Sequence, residues 1–204
     1  MRAQQEAGRK TELIAARPHK RPDANLKRPT WFGRFNANPN EVRIPRFPLL
    51  ASKIIVPAHT DHIFWLAENM RQADVDEVAA EGGRGPYAAL RDSLNASAAA
   101  WTGLVNDEPV CVFGVSPTDI LGGTGSPWLL GTDKVERYAV TFLRLNKKYV
   151  AKMLELFPHL VNYVDVRNET SIRWLRWLGF KLDSAPVPYG MFGMPFFRFE
   201  MKRR

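Results

Sequence analysis

The chain has a single cysteine, four histidines and no apolar stretch long enough to cross a bilayer. One thiol excludes an internal disulfide and a metal site built from cysteines. Because Cys111 lies in the apolar run of residues 110–113, we expect a packed thiol. A membrane-spanning helix needs about 20 apolar residues, and the first thirty residues lack the apolar middle region of a secretory signal. The sequence therefore predicts a protein that neither spans a membrane nor is exported by the secretory route.

Length and composition predict one folded domain with an extension. The 204 residues suit a single domain of ordinary size, at about 100 to 200 residues per domain. Apolar residues make up 45% and charged residues 25% of the chain, which is enough apolar surface for a core and excludes overall disorder. We assign residues 1–50 to an extended arm and residues 51–204 to the domain.

The net charge of +8 is concentrated at one end of the chain. Residues 1–46 contain eleven arginines and lysines against four acids, a net charge of +7, and the remaining residues carry only +1. Six prolines between positions 18 and 48 prevent a long helix beyond about residue 17. We therefore predict an extended, basic, proline-rich arm and a nearly neutral body.

The arm also carries clustered aromatic residues beside its basic ones. Such a ribbon has no core of its own and gains order by binding a protein neighbour or nucleic acid, with bases stacking on the rings in the second case. The alternative is a solubilising tail whose last third packs on the domain. The residues predicted to contact a partner are Arg17, Lys20, Arg21, Lys27, Arg28, Trp31, Phe32, Arg34, Phe35, Arg43 and Arg46.

From about residue 50 the pattern predicts regular elements. Helices are predicted at residues 63–70, 74–80, 87–98, 134–157 and 169–178. Strands are predicted at residues 53–57, 100–105, 109–115, 127–132, 160–166, 180–182 and 192–201. Thr60 or Asp61 is expected to cap the first helix, and the glycine-rich stretch 121–126 is expected to be a flexible connection. Helices alternating with a mixed sheet predict an α/β (α+β) fold with helices on both faces.

Residues 166–180 combine a strand end, a short helix and a glycine turn. Asn168 is placed to cap the helix that follows the strand, and Gly179 permits the backbone reversal into Phe180. The predicted buried stripe of the helix consists of Ile172, Leu175 and Leu178. Each of these roles is structural, so the block argues for a fold and not for an activity.

This block resembles the last conserved motif of the GNAT acyltransferase superfamily, in which a strand, an asparagine, a short helix and Gly-Phe follow one another. Residues 70–78 are similar to the early helical region of those proteins, and the predicted element order matches their fold over residues 53–202. The resemblance covers about three quarters of the chain. It implies a GNAT-like mixed central sheet flanked by helices, with acetyl-coenzyme A as the cofactor of an active member.

Two departures from the family pattern argue against catalysis. The resemblance implies an Arg/Gln-x-x-Gly-x-Gly/Ala loop whose amides hold the coenzyme diphosphate, but residues 130–138 have one glycine and place the acids Asp133 and Glu136 there, which repel phosphate. Leu175 stands where active members often have a tyrosine that protonates the leaving thiolate. Remaining candidates for an acid or base are Tyr138, Tyr149, Tyr163 and Glu136. We predict no catalytic, cofactor-binding or metal-binding residue.

Within this fold the chain looks like small acetyltransferase-like proteins of short-tailed bacteriophages, described as internal virion or core proteins. The similar residues are 128–132 in place of the glycine loop, 157–160 after the long helix, and 164–168 leading to 172–175. The resemblance implies a virion protein acting in assembly or genome ejection. Such a protein is made in the host bacterial cytoplasm and contacts other virion proteins in a multi-copy assembly.

Three functions are open at this point. The first is a non-enzymatic virion protein with a degenerate acetyltransferase fold, whose arm docks on neighbouring virion proteins or DNA. The second is a coenzyme A-dependent N-acetyltransferase with an altered diphosphate loop. The third is a nucleic-acid-binding module whose affinity falls steeply with salt and depends on residues 1–46. The absent loop and the basic arm favour the first.

Overall fold

The computed structural model describes residues 52–203. The arm residues from Arg17 to Arg46 and the domain boundary near residue 50 lie outside this range, so those assignments stay predictions. The elements in chain order are β1 (Lys53–Pro57), α1 (Thr60–Glu68), α2 (Gln72–Gly82), α3 (Pro86–Ala96), β2 (Ala99–Val105), β3 (Glu108–Asp119), β4 (Thr124–Gly131), α4 (Lys134–Arg137), α5 (Ala139–Leu156), β5 (His159–Asp165), α6 (Glu169–Leu178), β6 (Lys181–Leu182), β7 (Val187–Tyr189) and β8 (Met194–Lys202).

The strands form one mixed sheet in the order β1-β2-β3-β4-β5-β8-β6, with β7 also paired to β8. All neighbouring strands are antiparallel except β4 and β5, which run parallel. That parallel pairing consists of Thr124 with His159 and Gly125 with Leu160. Beyond these residues β4 continues along β3, whereas β5 continues along β8. The two strands therefore leave a gap toward their carboxyl ends.

Helices cover both faces of the sheet, as predicted. Successive residues of a strand point to opposite faces, and this alternation separates two cores. Val112 packs with the α1–α3 residues Ile63 and Leu90. Phe113 packs with Phe142 of α5 and other residues of the α5–α6 side. The prediction of an α/β (α+β) fold with a mixed central sheet between helices is confirmed.

Two hairpins use different turn chemistry. Asn106 and Asp107, between β2 and β3, both have positive φ, at 50° and 65°, which is the two-residue turn that matches the twist of a hairpin. The glycine-rich stretch 121–126 is a connection only as far as Gly123, which corrects the predicted extent. Leu121 to Gly123 form a tight turn between β3 and β4, and Thr124 and Gly125 already belong to β4.

Three local predictions need correction. The long helix expected at residues 134–157 is interrupted at Tyr138, which ends α4 and precedes α5. The cap of α1 is His59, whose ring nitrogen accepts a hydrogen bond from the amide of Asp61, in place of Thr60 or Asp61. The short strand β7 lies in a stretch to which the sequence assigned no element.

Cys111 is fully buried in the core, as expected for a packed thiol. Burial raises the pKa of its thiol to about 12, which keeps the sulfur protonated and unreactive at neutral pH. Within residues 52–203 no helix has the length and apolar character needed to cross a bilayer.

Phe142 holds α5 against the sheet, and we predict that Phe142→Ala lowers the free energy of unfolding by about 3 to 5 kcal/mol. The ring is 2% exposed and packs so closely on β2 that a Cβ atom on Gly103 would lie 2.6 Å from it. Urea denaturation measures the loss. Val140→Ala on the same helix is the control, since Val140 is 63% exposed and its truncation should change stability by less than about 0.5 kcal/mol. Equal effects of the two substitutions would contradict this packing.

Candidate functional site

A cavity lies in the gap between β4 and β5. The cavity has a volume of about 160 Å³. Leu129 of β4 and Asn162 of β5 line it from the two strands, Asn146 and Leu175 line it from α5 and α6, and Glu77 lines it from α2. The Asn162 side chain also spans the gap, donating to the Pro127 carbonyl oxygen at 2.9 Å. The cavity thus reaches helices on both faces of the sheet.

The turn after β4 is where a coenzyme diphosphate would need free backbone amides. The Gly131 amide instead donates to Asp74 Oδ2 at 2.7 Å. The Thr132 amide donates to the Val110 carbonyl at 2.9 Å, and the Val135 amide donates to the Thr132 carbonyl at 3.0 Å. These three donors are already satisfied inside the protein, so they are not available to an anion.

The two acids predicted near this turn take different positions. Asp133 is exposed and precedes α4. The Oε1 atom of Glu136, within α4, lies 3.3 Å from Arg71 Nη1. Because α4 is only one turn long, it does not offer the aligned amides of a long helix. The turn and α4 carry two acids and two bases, the latter being Lys134 and Arg137, and the segment is internally hydrogen-bonded and tied to an arginine from another part of the chain.

Arg71, immediately before α2, connects the segments that follow β4 and β5. It is 2% exposed and donates twice to Asp74, through Nε at 2.8 Å and Nη2 at 2.7 Å. Nη2 also donates to Ser171 Oγ of α6 at 2.8 Å, Nη1 donates to Glu136, and the guanidinium carbon lies 5.0 Å from the Trp174 ring centre. We call these contacts the Arg71 bridge. The bridge closes the carboxyl end of the gap between the two strands.

Electrostatics hold Arg71 in its charged form. Burial opposes its charge, but the hydrogen bonds and charge of Asp74 outweigh this effect and raise the pKa of Arg71. Burial raises the pKa of Asp74, whereas hydrogen bonds from Arg71 and Gly131 oppose that rise. Removing one partner of a buried ion pair leaves an uncompensated charge and costs about 3 to 5 kcal/mol. Opening the Arg71 bridge is therefore energetically unfavourable.

A second carboxyl group, that of Glu77, lies one helical turn further along α2. Its Oε2 accepts a hydrogen bond from Asn168 Nδ2 at 2.7 Å. Although the residue as a whole is partly exposed, its carboxyl group is surrounded by protein, and this burial raises its pKa to about 8. Repulsion from the nearby acids Asp74 and Asp165 contributes to this rise. A carboxyl group with this pKa is largely protonated at neutral pH and lines the cavity.

Asn168, Gly179 and Phe180 lie where the sequence placed them, whereas of the predicted buried stripe only Ile172 is buried and Leu175 and Leu178 are partly buried. The Asn168 side chain accepts the amide of Ser171 at 3.2 Å and caps α6, and Gly179 ends that helix with φ of 101°. Ile172 and Phe180 are buried in the core. Leu175 is half-buried and lines the cavity, so the position of the family's tyrosine offers no proton to the cavity.

The tyrosines named as alternatives mostly pack against other rings. Tyr149 makes an edge contact with Trp101, at 4.9 Å between ring centres. Tyr163 stacks on Tyr189 at 3.9 Å. Tyr138 separates α4 from α5 and has the Lys53 ammonium over its ring at 5.0 Å. Tyr149 and Tyr163 line the cavity as well.

The sequence did not identify Arg71, Asp74 or Glu77 as site residues. A signal was present, because Arg71, at the N-cap of α2, and Asp74 and Glu77, within the helix, recur every third residue. Val78, which is buried, follows directly. Charges on a helix face next to a buried position indicate an internal polar network, and that reading would have selected these residues.

Glu77 makes stability depend on pH with a defined sign. The folded protein retains a proton that the unfolded chain releases, since the pKa rises from 4.5 to about 8 on folding. We therefore predict that the free energy of unfolding falls as pH rises between about 5 and 8, by about 1 kcal/mol per pH unit relative to Glu77→Gln. Urea denaturation across this range measures the difference. Asp76→Asn, an exposed position on the same helix, should keep the wild-type slope, and an unchanged slope in Glu77→Gln would disprove the assignment.

Comparison with solved structures identifies the fold. Spermidine N-acetyltransferase from Vibrio cholerae in complex with CoA and spermine is 9% identical, with a TM-score of 0.56 over 74% of this chain and 95% of that chain. Ard1 from Thermoplasma volcanium is 13% identical, with a TM-score of 0.59 over 74% and 98%. A GNAT-family acetyltransferase from Streptococcus pneumoniae is 9% identical, with a TM-score of 0.53 over 75% and 100%.

No family model matches the sequence, and no curated protein matches it. At 9 to 13% identity, the structural likeness shows the fold alone, because one fold carries many functions. The coenzyme and substrate of the solved structures are properties of those proteins. The described part of this chain has the GNAT acetyltransferase fold.

Proposed function

We propose that the chain is a non-enzymatic protein in which a GNAT-like domain serves as a scaffold. The observation that carries this proposal is the Arg71 bridge. A coenzyme entering between β4 and β5 would have to separate α4 from α6, and Arg71 binds Glu136 of the first and Ser171 of the second. Displacing Arg71 would also leave the buried Asp74 carboxyl without its partner.

The turn after β4, which is tied to the Arg71 bridge through Asp74, supports the same conclusion. The amides of Gly131 and Thr132 are hydrogen-bonded to Asp74 and Val110. A diphosphate could use them only after these bonds break, and each buried acceptor left unsatisfied costs about 1 to 3 kcal/mol. A protein that serves as a scaffold needs neither free backbone amides at this turn nor an open gap between β4 and β5.

We further propose that this scaffold belongs to a bacteriophage virion. The sequence resemblance over residues 128–132, 157–160, 164–168 and 172–175 supports the assignment, and the net charge of +7 in residues 1–46 suits an arm that docks on neighbouring virion proteins or DNA. The protein would be made in the host cytoplasm and assembled in many copies. The comparisons with solved structures do not bear on this part of the proposal.

A coenzyme A-dependent N-acetyltransferase is the second candidate, and one observation favours it. Glu77 lines the cavity and has a pKa of about 8, close to the pH at which a general acid or base acts best. In that case acetyl-coenzyme A would be the cofactor and Glu77 would face the acceptor amine. The Arg71 bridge would then have to open during binding.

Calorimetric titration with acetyl-coenzyme A separates the two candidates. We expect no detectable heat at millimolar ligand with the full-length protein, because the bridge and the turn exclude the diphosphate. Binding at micromolar concentration would overturn the scaffold proposal and direct attention to acetyl transfer. Arg71→Ala gives a matched comparison, since weak binding that appears only in this variant would assign the exclusion to the bridge.

The virion assignment has its own test. Quantitative mass spectrometry of purified particles from cells that produce this protein should find it in several copies per particle. A variant in which Trp31, Phe32 and Phe35 are replaced by serine should be made normally but incorporated at a reduced level. Particles that contain no copies would exclude the virion role and would leave the scaffold proposal for the domain intact.

A further inference from the structure

Charge is distributed unevenly between the two helical layers, although the described body is neutral as a whole. Residues 60–96, which form α1 to α3, contain seven acids and three bases, a net charge of −4. Residues 139–178, which include α5 and α6, contain seven bases and three acids, a net charge of +4. The layers pack on opposite faces of the sheet. The nearly neutral body predicted from the sequence therefore has one acidic and one basic side.

The positive charge of α5 is confined to its outer surface. Arg144, Lys147, Lys148 and Lys152 are all exposed, and their spacing of three and four places them on one side of the helix. The opposite side of α5 is buried, with Phe142, Asn146, Val150 and Met153 against the sheet. Glu155 is the one acid within α5.

Helix α6 extends this surface. Arg173 and Arg176 are exposed, and Trp177 between the two helices is 44% exposed. The Lys147 ammonium lies 4.3 Å from the centre of the Trp177 ring, so the two helices meet at this contact. We call the exposed residues of this surface the basic face; they are Arg144, Lys147, Lys148, Lys152, Arg173, Arg176 and Trp177.

Neighbouring acids compensate little of this charge. Among residues 52–203 the basic face has one ion pair, between Arg173 and Glu169 at 3.8 Å. The acidic side is different, because Glu81 and Asp92 both lie within 4 Å of Arg84. An uncompensated set of bases on a surface raises the local concentration of anions and attracts polyanions.

We propose that the basic face binds the phosphate backbone of single-stranded nucleic acid. Six arginines and lysines on two adjacent helices can neutralise several successive phosphates, and an exposed tryptophan among them gives a base a ring on which to stack. This interface goes beyond the scaffold proposal, because it lies on the domain and does not require the arm. It is also independent of whether coenzyme A enters the cavity.

The acidic side of a second copy of the chain is a less suitable partner. Two of its carboxylates, those of Glu81 and Asp92, are already paired with arginines of the same molecule. A second copy would therefore exchange existing ion pairs for new ones, with little gain in solvent. Nucleic acid has no internal cations of this kind and releases its counterions on binding.

Fluorescence anisotropy with a 30-nucleotide oligothymidylate tests the proposal in the full-length protein. The face variant is Arg144→Gln/Lys148→Gln/Arg176→Gln. The control variant, Arg91→Gln/Lys134→Gln/Arg203→Gln, removes the same number of arginines and lysines from other exposed positions. All three proteins keep the whole arm, so differences between them report on the domain surface.

We expect the face variant to bind at least about tenfold more weakly at low salt. The slope of log affinity against log salt concentration should be smaller in magnitude by about two. The control variant should stay within about twofold of the wild type. Trp177→Leu, which keeps an apolar side chain on α6, should weaken binding by about tenfold with an unchanged salt slope.

Three outcomes would overturn the proposal. Equal weakening of the face and control variants would show that only total charge matters, and wild-type affinity in the face variant would assign binding to the arm. If the wild type self-associates at low salt, the face variant does not, and both bind the oligonucleotide equally, then a second copy is the partner of this face. Circular dichroism and the urea midpoint confirm that each variant is folded.

Discussion

Arg71 has to remain charged while only 2% exposed, and this requirement determines what surrounds the gap between β4 and β5. Asp74 supplies the compensating carboxyl group, and its second role as acceptor for the Gly131 amide fixes the turn after β4. Glu136 and Ser171 each accept one further guanidinium N–H, which ties α4 and α6 to the start of α2. Because a buried ion pair is stable only when all its hydrogen bonds are made, the position of each of these elements depends on the others. The cavity and the closed turn follow from that one ion pair.

The same polypeptide places its polar groups in two different ways. Around the gap, charges are enclosed and paired, so they stabilise a single arrangement of helices and strands. On the outside of α5 and α6, charges of one sign face solvent with little pairing. Enclosed pairs contribute to stability and rigidity, whereas exposed like charges repel one another slightly and contribute to association. Residue type alone does not distinguish these two groups, since both consist of arginine, lysine and acidic residues on helices.

Local signals in the sequence predicted local structure well. Asn168 caps α6 and Gly179 ends it in the left-handed conformation, because capping and positive φ depend on neighbouring residues only. The Arg71 bridge could not be predicted in this way, since its partners Glu136 and Ser171 are 65 and 100 residues distant in sequence. The interruption at Tyr138 was missed because the apolar spacing continues across it. Local sequence patterns therefore predicted the fold, whereas the candidate site depends on contacts between distant segments that such patterns do not show.

The two residue pairs that join β4 to β5 make the sheet two antiparallel units with a narrow backbone connection. Strands β1 to β4 pair largely with their neighbours in sequence, and β5 to β8 pair among themselves. The units are held together mainly by side chains, through the core packing of α5 and through the Arg71 bridge. Local unfolding follows such boundaries, so loosening of α5 would allow the units to separate while each retains its own ladder. Amide exchange inside either unit would then remain slow, and the protein would lose cooperativity before it loses secondary structure.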